Sequence, residues 1–94
     1  MARPPRPKPN DGAGAEWLMT KRPDPVQEVA RQFVLNVKRV MGDRSVRATA
    51  KMADLDHNTL RYVLDGTAWP DMIVIAKLER AFHENLWPGL VDDD

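Results

Sequence analysis

The chain has no cysteine, so disulfide scaffolds and thiolate metal sites are excluded, and a reducing cytoplasm is compatible with it. Apolar runs are short. The longest, Met72 to Ala76, falls far below the roughly 20 residues of a membrane helix. The N-terminus is charged and rich in proline and lacks the apolar stretch of a secretory signal, so a cytoplasmic protein without membrane contact is expected. Alternating strand patterns are absent. So are a nucleophile–base pair, metal-ligand spacing and a phosphate-binding glycine loop, and neither enzyme activity nor a cofactor or metal is expected. Net charge is missing too: 14 Lys and Arg meet 14 Asp and Glu. By itself that balance argues weakly against a nucleic-acid partner. Its distribution is uneven, however. Residues 1–22 carry Arg3, Arg6, Lys8, Lys21 and Arg22 against Asp11 and Glu16, while residues 92–94 are all aspartate. A local field depends on which charges share a face, not on their total.

What is present falls into three parts. Residues 1–23 are a basic, proline-rich arm, a composition that favours extended or disordered chain, interrupted by the apolar island Glu16 to Thr20, which can dock on the domain. Residues 24–91 form one small helical domain, and 92–94 an acidic tail. Asp24-Pro25-Val26-Gln27 reads as a helix start, with Asp24 as N-cap, proline at the first helical position and Gln27 at the capping-box position. Apolar residues then recur at 26, 29, 30, 33, 34, 37, 40 and 41, and Gly42 ends the stripe. Ser45 caps a second helix over 46–53, Asp56 a third over 57–65 that Gly66 ends, and Asp71 a fourth. The inner face of the fourth is expected to be Met72, Ile75, Leu78 and Phe82. Leu86-Trp87-Pro88 should fold back as a lid, with Trp87 closing the core. The expected fold class is an all-α bundle of four to five helices.

The stretch Val46 to Gly66 is the most informative. Ala50 is small enough for two helices to cross closely, Asp54 marks a tight turn, and Leu55 fills the core beneath it. Leu60, Val63 and Leu64 then point inward, which leaves His57, Asn58, Arg61 and Tyr62 outward. This is how a helix-turn-helix offers its second helix to the DNA major groove. With Ala50, Leu55, Leu60, Val63 and Gly66 in register, and the following WPDMIVIAKLERAF helix, residues 24–87 resemble the Cro/C1-type helix-turn-helix domain of phage repressors and xenobiotic-response-element regulators. That resemblance implies a lambda-repressor-like bundle that binds operator DNA, usually as a dimer. The chain departs from the family pattern twice. Asp54 stands where glycine is usual, at a left-handed turn position that aspartate tolerates better than most residues. Val46 stands where glutamine commonly contacts the DNA backbone, so Arg47 or Ser45 would have to reach phosphate instead.

The candidate base-reading residues are His57, Asn58, Thr59, Arg61 and Tyr62. Asn58 has the paired donor and acceptor for adenine, Arg61 the fork for guanine, and Thr59 a methyl for thymine. A metal at His57 is not expected, because Asp56 is needed as a cap. Backbone candidates are Arg44, Ser45, Arg47, Lys51, Thr67 and Trp69, which would position without reading sequence. Arg39 is a structural cation or a phosphate clamp. In the arm, Arg3, Arg6 and Lys8 are spaced to follow a narrow minor groove, unless the arm is a plain solubilising tail or a ligand for a protein partner. The function expected is a bacterial or bacteriophage transcriptional regulator, repressor- or Cro-like, acting on double-stranded operator DNA, with a possible homodimer through the fourth helix, the tail or the arm. The alternatives are an antitoxin of a toxin–antitoxin pair and a protein-interaction module built on the same fold.

Overall fold

Every long helix of this protein starts on a carboxylate or hydroxyl placed one residue ahead of it. In the computed structural model, which describes residues 7–90, a 3-10 turn over Gly14–Glu16 precedes four helices: α1 Pro25–Met41, α2 Val46–Ala53, α3 His57–Asp65 and α4 Met72–Phe82. No strand occurs among the described residues, and the fold is an all-α bundle. Asp24 accepts from the Val26 and Gln27 amides, Ser45 from Ala48, Asp56 from Asn58 and Thr59, and Asp71 from Val74. Each cap satisfies amides that the first helical turn leaves unpaired and typically stabilises by about 1 kcal/mol. Gln27 does not complete a capping box. Its amide turns instead to the Lys8 carbonyl at 2.9 Å.

The core joins Phe33, Val34, Val37 and Met41 of α1 to Ala50 and Ala53 of α2, Leu60, Val63 and Leu64 of α3, and Val74 and Leu78 of α4. α2 lies at the centre of this arrangement, packed on both α3 and α4. Ala50 is 2% exposed, so the crossing leaves no room for a larger side chain. Met72 is not part of the inner face. It is 86% exposed, because it stands six residues from Leu78, about 120° away around the helix. Leu86, fully buried, is the plug that closes the bundle below α4, held by the Asn36 amide on its carbonyl and by Glu79 on the amides of Leu86 and Trp87. Trp87 lies outside that plug, partly exposed, with its ring 5.7 Å from that of Phe33. Arg39 is an exposed cation paired with Glu84, not a buried one.

The arm departs most from expectation. Residues 1–6, with Arg3 and Arg6, lie outside the described residues, as does the tail at 92–94. Residues 7–23, expected to be disordered, pack along the domain. Trp17 is 2% exposed and belongs to the core, so the apolar island is docked through its indole. One indole buries 150–250 Å², enough to order a short segment when polar contacts assist it. They do so here. The buried Glu28 carboxylate accepts from the Arg22 amide at 2.7 Å, from Arg31 at 2.8 Å and from Gln32 at 3.0 Å. The Arg31 Nε–H also reaches the Leu18 carbonyl.

Two outcomes follow from this packing. Ala50→Leu should force α2 off its neighbours and lower stability by roughly 1–3 kcal/mol or more, read as a fall in Tm; a Tm equal to that of the parent would refute the crossing at Ala50. Burial raises the Glu28 pKa, but the hydrogen bonds from Arg22 and Gln32 and the Arg31 charge outweigh it, so the carboxyl titrates below the ordinary glutamate value. The ionised form therefore stabilises the fold above that value, and the contribution is lost as pH falls through the lower folded-state pKa. Thermal melts of the parent and Glu28→Gln should differ most near neutral pH and converge in acid. A gap that is constant with pH would contradict this.

Candidate nucleic-acid interface

The geometry of the candidate surface is set at Asp54. Its backbone is left-handed (φ 56°, ψ 48°), its amide donates to the carbonyls of Ala50 and Lys51 at the end of α2, and the Leu55 amide returns to Ala50 at 2.8 Å. Aspartate accepts this conformation at modest cost. Lys77 of α4 then reaches the Asp54 carbonyl at 2.8 Å and its carboxylate at 3.4 Å, holding the turn from behind. Asp56 starts α3 two residues later.

Within α3 the buried residues are Leu60, Val63 and Leu64. At 100° per residue, Asn58 and Tyr62 point directly away from them and Thr59 and Arg61 flank that line. All four are exposed, Tyr62 by 53%, while His57 is half-buried at the helix start. Asp65 shares the outward stripe at its C-terminal end. On α2, Arg47 and Lys51 stand one turn apart on the exposed side. Asn58, Arg61, Arg47 and Lys51 have no side-chain partner among the described residues.

Other candidates are engaged within the chain. Arg44 donates to the carbonyls of Val40 and Met41 at the end of α1 and lies 5.7 Å over the Phe82 ring. Ser45 is a cap, and the Thr67 hydroxyl donates to the Tyr62 carbonyl at 3.2 Å. The half-buried Trp69 directs its indole N–H to the Pro7 carbonyl at 2.9 Å, so it holds the N-terminal segment. Lys8 is exposed, its backbone amide bound to Asp11.

One residue was missed from the sequence. Lys38 of α1 is exposed and lines a shallow groove with Gly42, Val46 and Arg61, at the N-terminal end of α2. Its position, one residue after buried Val37 and late in the helix, marks it only as a surface cation. Tertiary structure alone brings it beside Arg61.

The acidic residues are used differently from the basic ones. Asp24, Asp56 and Asp71 cap helices, Glu28 and Glu79 accept backbone amides, and Asp54 and Glu84 pair with Lys77 and Arg39. The surface around α2 and α3 combines the cations Lys38, Arg47, Lys51 and Arg61 with the Asn58 amide, and Asp65 lines the same groove as Lys38 and Arg61. No family model, curated protein or solved structure matches this chain.

Proposed function

We propose that the protein is a sequence-specific double-stranded DNA-binding transcription regulator, of the repressor or Cro-like kind, with α3 in the major groove. The observation that carries this reading is the outward stripe of α3, where Asn58, Arg61 and Tyr62 are exposed beside the unpaired Arg47 and Lys51 of α2. A helix about 10–12 Å across fits a groove about 12 Å wide. Asn58 then reads adenine and Arg61 guanine, with His57 and Thr59 near the same edges. Arg47, Lys51 and Lys38 supply phosphate contacts, and the docked helices hold them in a fixed register. Zero net charge does not oppose the reading, because a local field depends on which charges share a face, and Arg47, Lys51 and Arg61 are exposed beside Asn58. Two-fold pairing on a palindromic site would draw on exposed apolar residues such as Met72 and Ile73 of α4.

A reading as an antitoxin or protein-interaction module gives the same fold a protein partner. It predicts no gel shift with duplex DNA at low salt. Selection from random DNA followed by a salt titration on the recovered site tests the DNA reading. Log affinity should fall linearly with log salt, at a slope near −0.9 per phosphate neutralised. On that site Asn58→Ala should lose roughly 1–3 kcal/mol while binding to random duplex and the Tm stay nearly unchanged. Equal losses on both duplexes would remove Asn58 from base readout.

A further inference from the structure

We propose that residues 7–22 are a positioning element for α3: they clamp the C-terminal end of the helix and so fix how its outward side chains meet a base pair. This rests on the DNA-reading role proposed above, which it extends to a segment outside the helix-turn-helix.

The clamp is built from three contacts on the end of α3 and the loop after it. The Asn10 amide donates to the Gly66 carbonyl at 3.0 Å, and its side-chain amide to the Asp65 carbonyl at 3.3 Å. The last carbonyls of a helix have no partner within it. Here a residue 55 positions away supplies the donors. The third contact is the Trp69 indole on the Pro7 carbonyl. Under them lies Trp17. A Cβ on Gly66 would stand 2.6 Å from Trp17 Cε2 and 2.8 Å from Asn10 Cβ, so Gly66 serves both its left-handed conformation (φ 77°) and this close approach.

The same segment is fastened to α1 through Gln27 on the Lys8 carbonyl, Glu28 on the Arg22 amide and Arg31 on the Leu18 carbonyl. It is a strap between α1 and α3. The turn at Asp54 holds the other end of α3 to α2. With nine residues α3 is about 13 Å long, and a tilt of about 5° displaces one end by about 1 Å. That is enough to spoil a bidentate hydrogen bond to a base edge, while flexible side chains on α2 still follow the phosphates.

The test compares the full-length parent with Asn10→Ala, Trp17→Ala and Trp17→Phe, on the selected duplex and on random duplex, together with amide hydrogen exchange in the absence of DNA. Asn10→Ala and Trp17→Ala should weaken binding to the selected site about tenfold, the scale of one base contact, and leave random-duplex binding within about twofold; Trp17→Phe should recover most of the loss. Exchange should accelerate at Tyr62 to Thr67 and not in α2. Unchanged selected-site binding, equal losses on both duplexes, or unaltered exchange at the end of α3 would overturn the proposal. Should Trp17→Ala not fold, Asn10→Ala, which removes the half-buried side chain that donates to the Asp65 carbonyl, decides alone. If the parent binds no duplex, the DNA reading fails, and the exchange comparison still scores the clamp.

Discussion

The close crossing of α2 with its neighbours, made possible by Ala50 and ended by the left-handed Asp54, is the constraint on which the rest of the molecule depends. A larger residue at 50 would separate the helices, and a residue unable to adopt the turn would redirect α3. Because α3 follows after only three residues, its rotation about its own axis is set by how Leu60, Val63 and Leu64 meet the core. The outward stripe of Asn58, Arg61 and Tyr62 is the geometric complement of that buried triad. Its orientation is therefore a packing result, and the polar residues on it are free to be chosen for recognition.

Electrostatics follow from the same economy of parts. A small domain with no disulfide has few ways to hold short helices, and this one uses carboxylates for it. Three aspartates cap helices, two glutamates gather backbone amides, and two more acids tie down lysine or arginine. These charges are fixed where the fold needs them. Arg47 and Lys51 of α2 and Arg61 of α3 have no such duty among the described residues. The N-terminal segment completes the scheme, with a buried Glu28 as its fastening on α1 and a buried Trp17 beneath the end of α3.

Much of this was legible in the sequence because it is local. Asp24, Ser45, Asp56 and Asp71 each announce a helix by chemistry that acts over three residues, and Gly66 and Asp54 announce turns by the conformation they tolerate. The buried face of α3 follows from its period. What escaped is tertiary. The composition of residues 7–23 says that they cannot form a core, and that is true, but it is silent on whether they can join one through a single indole and a few carbonyls. Gln27 has the spacing of a capping box, yet its side-chain amide donates to the distant Lys8 carbonyl instead. Met72 has the right residue type for a core and the wrong angle. Lys38 becomes part of the candidate interface only because the end of α1 meets Arg61, while Arg44 and Thr67 are held by carbonyls three to five residues back and Trp69 by the distant Pro7.

The most direct measurement of the central claim is an NMR titration of the assigned protein with its selected duplex, following amide and side-chain shifts residue by residue. Changes should concentrate on residues 57–62 and on the exposed side of α2 at Arg47 and Lys51, with the core amides of α1 nearly still. Shifts confined to α4 and the tail, with α3 unmoved, would contradict the assignment of α3 as the reading surface.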